Sequence, residues 1–82
     1  MYYVYILKSQ RKGGFYTGFT KDVVKRLSQH NTGKVKSTKH LIPFDLVYSE
    51  AYQNAAEARK REYYIKSQKS RQFIEQLIAK AS

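Results

Sequence analysis

The first part of the chain has the residue pattern of a β-hairpin. Residues 2–8 are rich in aromatic and β-branched side chains and contain no Gly or Pro, which predicts a strand. A polar segment follows and ends in Gly13 and Gly14, which suit a turn because glycine adopts positive φ without strain. Residues 15–19 then predict the returning strand. Since side chains alternate along a strand, Tyr3 and Tyr5 are expected on one face of the first strand.

The hairpin is followed by a predicted helix over residues 21–31. Thr20 is a suitable N-cap, and Gly33 stands where a helix commonly ends. Residues spaced three and four apart form two stripes on this helix. We expect the first stripe to face the core, and it consists of Val23, Val24 and Leu27. The second stripe consists of Asp22, Arg26 and His30.

The second half of the chain predicts one more strand and two more helices. Residues 33–40 are expected to form a flexible basic loop, and the strand Phe44–Tyr52 follows the single proline. Asn54 and Glu57 resemble a capping box, so a helix is expected from there to about residue 66. After a break at residues 67–70, a last helix carries an apolar stripe of Phe73, Ile74, Leu77 and Ile78. The predicted fold is therefore α+β, a three-stranded antiparallel sheet flanked by helices in the order β-β-α-β-α-α, forming one pair of layers.

The composition indicates one small, strongly basic domain. The chain has 82 residues, of which 41% are hydrophobic, enough for a single modest core. We therefore assign residues 1–82 to one domain. The 16 Lys and Arg residues against 6 Asp and Glu residues give a formal net charge of +10. A positive field of this strength on so small a domain favours a polyanionic partner, and nucleic acid is the favoured one.

The same composition argues against a secreted, zinc-binding or membrane protein. The chain has no Cys and only two His residues, His30 and His40, which excludes disulfides and a structural zinc site. The amino terminus lacks the basic lead and the cleavage site of a signal peptide. No apolar run approaches the roughly 20 residues that a membrane-spanning helix needs. We therefore expect a cytoplasmic protein, with association with the nucleoid as one form of that location, and no membrane partner.

One residue of the second predicted helix breaks its own pattern. Ala55, Ala58, Glu62 and Ile65 share a helix face that is apolar except for the carboxylate. A carboxylate in such a stripe costs free energy unless it is paired or binds a metal ion. Two interpretations stay open: Glu62 pairs with Lys66 four residues on, or it belongs to a functional site.

Residues of the hairpin and the first helix have the same ambiguity. Arg26 is either an exposed cation, paired with Asp22, or an Arg that binds a phosphate, whose oxygen atoms its planar fork matches. Tyr5 and Tyr16 are either core aromatic residues or part of a site on the hairpin. Gly18, on the same strand face as Tyr16, is expected to let the backbone pass close to a helix or a phosphate.

Taken together, these residues resemble the GIY-YIG nuclease family. Tyr3-Val4-Tyr5 stands in place of the first triplet of the family, and Tyr16-Thr17-Gly18 in place of the second. Arg26 and His30 follow in order on the next helix, and residues 61–66 resemble the helix that bears the essential Glu. The resemblance covers residues 2–78 and is closest to the small bacterial members that consist of this domain alone. The chain departs from the pattern in having Tyr3 instead of Gly, Thr17 in the second triplet, and no Asn after Glu62.

The resemblance implies a hydrolase of phosphodiester bonds that uses one divalent metal ion, Mg²⁺ or Mn²⁺, with Glu62 as its ligand. The residues agree with a single ion, because the six carboxylates show no cluster of the kind that a two-metal site requires. One carboxylate with water and substrate oxygen atoms is sufficient for Mg²⁺. The favoured substrate is DNA, in damaged, branched or single-stranded forms. RNA is left open, and a role in DNA repair is suggested by the resemblance only.

The resemblance also implies roles for the individual residues. Glu62 holds the metal ion, and Arg26 neutralises charge on the phosphate in the transition state. Tyr5 accepts a proton from the attacking water and Tyr16 positions that water or the phosphate, although the sequence does not decide which tyrosine is the base. His30 relays the proton or contacts the nucleic-acid backbone. Since the ordinary pKa of tyrosine is ~10, nearby cations are expected to lower the pKa of the tyrosine that acts as base.

Two other functions are left open by the sequence. One is a catalytically weak or silent module of the same fold that binds nucleic acid, and the other is an interaction domain whose basic face meets an acidic protein. The set of Tyr5, Tyr16, Arg26 and Glu62 favours the nuclease, because binding alone requires neither a Glu in the apolar stripe nor a matched Arg. In both nucleic-acid functions, the cations expected to neutralise phosphates are Lys34, Lys36, Lys39, Arg59, Lys60, Lys66 and Lys69.

Overall fold

The predicted order of strands and helices is confirmed in the computed structural model, which describes residues 1–81. The strands are β1 (Tyr2–Ser9), β2 (Phe15–Thr20) and β3 (Phe44–Tyr52). The α-helices are α1 (Val23–Asn31), α2 (Ala55–Gln68) and α3 (Arg71–Ala81), and a 3₁₀ helix covers Lys36–Leu41. The strands form one antiparallel sheet in the order β2-β1-β3, so the fold is α+β as expected.

The central strand β1 shows that both faces of the sheet are covered. Four consecutive residues, Val4 to Leu7, are at most 1% exposed. Because successive side chains point to opposite faces, a strand with such a run must be packed on both sides. The expected single pair of layers is therefore wrong, and the sheet is the middle one of three layers.

Each face of the sheet has its own hydrophobic cluster. On one face, Val4 packs with Ala58 and Ile65 of α2. The apolar stripe of α3 reaches the same cluster through Phe73, Ile74 and Leu77, as the sequence predicts. On the other face, a cluster formed by Tyr5, Leu7 and Phe44 is covered by α1 and the 3₁₀ helix through Val23, Leu27 and Leu41.

Helix α1 differs from its prediction at its start and on its inner face. The N-cap is Asp22, whose Oδ1 accepts a hydrogen bond from the Lys25 amide at 3.0 Å, and not Thr20, which belongs to β2. Val24, expected in the core, is 80% exposed, whereas His30 is fully buried. The helix ends as predicted, because Gly33 has a φ of +77° and donates from its amide to the His30 carbonyl.

The connection between α1 and β3 is more ordered than the expected flexible loop. Its 3₁₀ helix places Thr38 in the interior, where the residue is only 2% exposed. Asn31 at the end of α1 binds the backbone of Phe44 on both sides, since Oδ1 accepts from the amide at 2.7 Å and Nδ2 donates to the carbonyl at 3.1 Å. These contacts fix the end of α1 to the start of β3.

The second half of the chain follows its prediction more closely. Strand β3 has the expected limits, and the Oδ1 of Asn54 caps α2 by accepting from the Glu57 amide at 2.9 Å. Helix α2 continues to Gln68, so the break before α3 is shorter than expected and begins at Lys69, which adopts a left-handed conformation. Among the helices of residues 1–81, none has the length and apolar character needed to cross a membrane.

A polar cluster around Glu50 joins β3 to α2. The Glu50 carboxylate accepts hydrogen bonds from the hydroxyls of Tyr48 and Tyr52 and from Arg61, whose Nε and Nη2 lie 3.0 and 3.1 Å from its oxygen atoms. Burial raises the pKa of the Glu50 carboxyl, but the bonds from Arg61, Tyr48 and Tyr52 outweigh burial and hold that pKa below its usual value. Burial and the bond to Glu50 raise the pKa of Tyr52 to about 12.

The substitution Glu50→Gln should lower the free energy of unfolding by about 2 kcal/mol at neutral pH, because the charged acceptor of several hydrogen bonds is lost. A carboxyl with a lowered folded-state pKa stabilises fully above its unfolded pKa, about 4.5, and stops stabilising as the pH falls through the lowered value. The difference between wild type and Glu50→Gln in urea unfolding should therefore shrink below about pH 4.5.

The exposed pair Arg71–Glu75 provides a matched control, with side chains that are 53% and 54% exposed. Glu75→Gln should change the free energy of unfolding by less than about 0.5 kcal/mol at any pH. A Glu50→Gln difference that stays constant from neutral to acidic pH would contradict the proposed contribution of the Glu50 charge.

Candidate active site

The side chain of Tyr5 lies across Gly18 of the neighbouring strand. The two residues are directly paired in the sheet, and Tyr5 is 1% exposed. A Cβ atom at residue 18 would lie 2.6 Å from the Tyr5 hydroxyl oxygen and 2.7 Å from Cζ, closer than real Cβ atoms approach their neighbours. Glycine is therefore required here by the Tyr5 ring, and not by a helix or a phosphate as the sequence suggested.

Two residues of α1 bind the Tyr5 hydroxyl. The Nε of Arg26 donates to it at 3.4 Å, and the Nε2 of His30 lies 3.2 Å away. The guanidinium of Arg26 also donates through Nη1 to Oε1 of Gln29 at 3.0 Å. Since the Asp22 side chain caps the helix instead, the pairing of Arg26 with Asp22 is not observed.

His30, which contacts the Tyr5 hydroxyl, is fully buried. Its Nδ1 lies 2.9 Å from the Oγ1 of Thr38, and its ring meets the ring of Tyr16 edge-on at a centroid distance of 4.9 Å. In the tautomer with the proton on Nδ1, His30 donates to Thr38 and accepts from Tyr5, and Thr38 donates to the Val35 carbonyl at 3.4 Å. The expected contact of His30 with a nucleic-acid backbone is wrong, because the residue has no exposed surface.

The pKa of Tyr5 is shifted in the direction opposite to the one expected from the sequence. Burial raises the pKa of the Tyr5 hydroxyl above its ordinary value of 10.0, and the hydrogen bond from Arg26, which lowers it, does not compensate. The same hydrogen bond raises the pKa of Arg26. Burial, and then the charge of Arg26, lower the pKa of His30 below 6.5. At neutral pH the protein therefore holds a protonated phenol next to a neutral imidazole.

Glu62 belongs to α2, which packs on the opposite face of the sheet from α1. Its side chain is 17% exposed, and its Oε2 lies 2.9 Å from the Nζ of Lys66, so the expected pair is present. The same ammonium lies 5.8 Å from the centre of the Tyr16 ring. The Glu62 carboxylate also contributes to the raised pKa of Tyr5, although less than burial does. Glu62 is therefore paired with Lys66 and at the same time close enough to Tyr5 for its charge to affect the pKa of that residue.

Open grooves adjoin both sides of strand β2, which forms one edge of the sheet. A groove of about 400 Å³ lies next to Arg26 and is lined by Phe19, Thr20, Lys21, Asp22, Lys25, Arg26 and Gln29. A second groove, of about 270 Å³, lies between β2 and the end of α2 and includes Tyr16, Lys66 and Lys69. Both grooves are lined by cations, which suits an anionic chain that crosses the edge of the sheet.

The expected nucleic-acid-binding cations are all exposed, and they fall into two groups along the chain. One group lies between α1 and β3, and the other on α2 and its C-cap. Arg59 is directed towards β2, with its guanidinium 5.7 Å from the centre of the Phe19 ring. The first group consists of Lys34, Lys36 and Lys39, and the second of Arg59, Lys60, Lys66 and Lys69.

The donor atoms available to a metal ion are few. Within residues 1–81, no three or more His, Asp and Glu side chains come together as they would around a fully protein-bound ion. Glu62 could supply one carboxylate ligand to a divalent ion of the Mg²⁺ kind, which takes most of its ligands from water and substrate, in exchange for its ion pair with Lys66.

The comparison with protein families agrees with the geometry. The model of the GIY-YIG catalytic domain matches residues 1–75, so the chain belongs to the GIY-YIG family of nucleases. Within that family it is similar to small proteins of the UPF0213 group. UPF0213 protein SERP0126 of Staphylococcus epidermidis is 44% identical over 77 residues, which are 93% of each chain. UPF0213 protein SSP2268 of Staphylococcus saprophyticus is 46% identical over 67 residues, 80% of each chain.

A solved structure supports the same assignment. The solution NMR structure of the UPF0213 protein BH0048 from Bacillus halodurans has a TM-score of 0.60 to this chain and 42% sequence identity. The similarity covers 96% of this chain and 84% of the other. Fold and family are therefore shared with a structurally determined protein.

Two glycines of the hairpin provide a test of the Tyr5 packing. Gly18→Ala should lower the free energy of unfolding by about 1–3 kcal/mol, because the new methyl group overlaps the Tyr5 ring. Gly14→Ala is the matched control, since a Cβ atom there has no neighbour within 4 Å, and it should be neutral or slightly stabilising. Urea unfolding measures both. Equal stability of the two variants would mean that Tyr5 does not lie across Gly18.

Proposed function

We propose that this protein is a metal-dependent endonuclease that hydrolyses phosphodiester bonds in DNA, including damaged, branched or single-stranded forms. The observation that carries the proposal is the Tyr5 hydroxyl held between the guanidinium of Arg26 and the imidazole of His30. A tyrosine that only fills the core does not need its hydroxyl in contact with both a cation and a neutral base. The net charge of +10 and the exposed cations supply attraction for the backbone of the substrate.

The proton of the attacking water has a route through these side chains. Tyr5 is 1% exposed, so the mechanism requires that its hydroxyl opens to the attacking water when substrate binds. As the water oxygen bonds to phosphorus, its proton then passes to the Tyr5 oxygen while the Tyr5 proton moves to Nε2 of His30, 3.2 Å away. This relay removes the need for a tyrosinate, which the raised pKa of Tyr5 disfavours. The lowered pKa of His30 keeps its imidazole neutral and able to accept at neutral pH. The P–O bond to the leaving oxygen breaks, and that oxygen takes a proton from solvent.

Arg26 and Glu62 are proposed to act on the phosphate. The guanidinium of Arg26 borders a groove and remains charged, so it can neutralise negative charge that develops on the phosphate oxygen atoms. Glu62 is the residue that would hold a divalent ion, Mg²⁺ or Mn²⁺. When bound, such an ion supplies Lewis-acid stabilisation of the phosphate and the leaving oxygen. Tyr16, in contact with the His30 ring, would position the water or the phosphate.

The proposal extends to partner and location. DNA is the proposed substrate, bound by the two groups of exposed cations, and the cytoplasm, including the nucleoid, is the proposed place of action. A catalytically silent binding module would share the fold and the basic surface. It would not need Arg26 and His30 at the Tyr5 hydroxyl, which is why we favour the enzyme.

Cleavage of plasmid, duplex, branched and single-stranded DNA with Mg²⁺ or Mn²⁺ tests the function. Arg26→Ala should reduce the rate of cleavage by about 10²- to 10³-fold, the usual effect of losing one transition-state contact. Glu62→Gln should reduce the rate at least as much, since the metal ligand is lost. The measurement is the initial rate of nicking by wild type and variants.

Matched controls separate catalysis from loss of charge. Arg11→Ala removes an exposed Arg of the hairpin loop, and Glu57→Gln removes an exposed carboxylate in the first turn of α2. Both should cut at close to the wild-type rate. If Glu62→Gln cuts as fast as Glu57→Gln, the nuclease mechanism is wrong. If wild type binds DNA but never cuts, the protein is a binding module.

Lys66 gives a separate prediction about metal binding. Because its ammonium occupies the neighbourhood of the Glu62 carboxylate at 2.9 Å, a metal ion must displace it. Lys66→Met should therefore tighten Mn²⁺ binding by about twofold, the value of an i,i+4 ion pair. Electron paramagnetic resonance of free Mn²⁺ measures the affinity. Lys12→Met, in the exposed hairpin loop, is the control and should leave the affinity unchanged, and an equal response of both variants would contradict the competition.

A further inference from the structure

Tyr63 is an exposed aromatic residue directly beside Glu62. Its side chain belongs to a residue that is 76% exposed, whereas its neighbour Tyr64 packs edge-on against Phe73 at a centroid distance of 6.0 Å and under Arg61. Packing against neighbouring side chains therefore accounts for an aromatic residue at position 64. It does not account for one at position 63. Because α2 turns by about 100° per residue, Tyr63 points outward next to the face that carries Glu62.

Three cations share one surface depression with the Tyr63 ring. It lines a shallow depression of about 530 Å³ on the outer side of α2, together with Ala56, Arg59, Lys60, Glu62 and Lys66. Arg59 and Lys66 lean from this helix towards the aromatic rings of β2, on either side of Glu62. A strand whose phosphates followed these cations would pass close to the Tyr63 ring.

We propose that Tyr63 forms a stacking site for one unpaired nucleobase of the strand whose phosphate lies at Glu62. The inference rests on the proposed nuclease function and adds the class of substrate, a strand that is unpaired next to the cleaved bond. Alternating cations and an exposed aromatic ring are the arrangement by which proteins bind single strands without reading sequence. An acidic protein would pair with the cations but would not require an exposed aromatic ring among them.

The geometry favours an unpaired base over a base pair. Inside a duplex, both faces of each base are covered by its neighbours, so an exposed ring on the outer side of α2 has no base face to contact. An unpaired base can leave the stack and lie on the phenol ring at little cost. Fully paired DNA should therefore contact the cations of α2 without contacting Tyr63.

The absence of Trp from the sequence makes a direct test possible. Tyr63→Trp places a single indole at the proposed stacking site, and Val24→Trp places one at an equally exposed position on α1 as control. Both variants carry Glu62→Gln, so that no strand is cut and the carboxylate no longer repels the ligand. The probes are an end-labelled oligodeoxynucleotide of mixed sequence and the same strand in its duplex, with binding followed by anisotropy.

Stacking predicts a specific pattern of fluorescence. At equal bound fraction, the single strand should quench the Tyr63→Trp variant strongly, the duplex should quench it weakly, and neither should quench the Val24→Trp control. Equal quenching by single strand and duplex, or no quenching when the single strand is bound, would overturn the stacking site while leaving nucleic-acid binding intact. If neither nucleic acid binds at all, the proposed function itself fails, and the stacking site with it.

Affinity provides the second measurement. Tyr63→Ala, in the same Glu62→Gln background, should weaken single-strand binding by about 5- to 100-fold, the range for losing one stacked base. Its salt dependence should be unchanged, because the phenol carries no charge, whereas Lys60→Ala should reduce the salt slope by about 1. Tyr63→Ala removes no buried contact and introduces a better helix former, so the fold should be retained. Undiminished affinity in Tyr63→Ala would overturn the inference.

Discussion

The contact of the Tyr5 ring with the Gly18 backbone is the constraint on which the site depends. It brings the phenol into the centre of the sheet and directs its hydroxyl towards α1, where Arg26 and His30 reach it. Any side chain at residue 18 would displace the ring and separate the hydroxyl from both partners. The small residue of the second triplet and the tyrosine of the first triplet therefore form one structural unit, although they belong to different strands of the hairpin.

The 3₁₀ helix, which packs outside the Tyr5 ring, holds His30 in place. His30 is buried without a charge, and it keeps its orientation because Thr38 of the 3₁₀ helix binds its Nδ1. The segment that contains the 3₁₀ helix is closed at its two ends, where Asn31 binds the backbone of Phe44. A buried polar chain of this kind is stable because each member has a partner, and no buried side-chain nitrogen or oxygen atom in the described residues lacks one. The orientation of His30 therefore depends on a segment that contains none of the proposed catalytic residues.

Local patterns in the sequence were sufficient for most of the fold and for part of the site. Residues 44–52 and the start of α2 follow from propensity and capping, which act over a few positions. The inner face of α1 could not be predicted in the same way. Its hydrophobicity suggests that Val24 is buried, but His30 is buried instead, because its partners lie on β1 and the 3₁₀ helix. Thr38 and Glu50 were missed for the same reason, since their partners are distant in sequence. The family resemblance named Tyr5, Arg26 and Glu62 as candidate residues, but it did not predict that Arg26 binds the Tyr5 hydroxyl.

The balance of charge at the site explains why a single carboxylate is compatible with a basic groove. Glu62 lies between Arg59 and Lys66 along its helix, and the ammonium of Lys66 is already paired with it. Alone, this carboxylate would repel a phosphate. Under the proposed function, a divalent ion in place of the ammonium would make this position attractive to a phosphate, and Lys66 would be free to bind the backbone of the substrate. Metal and nucleic acid should therefore bind with positive coupling, because each removes an interaction that opposes the other. The single carboxylate then makes the charge of the groove depend on the metal ion, which an entirely basic surface would not do.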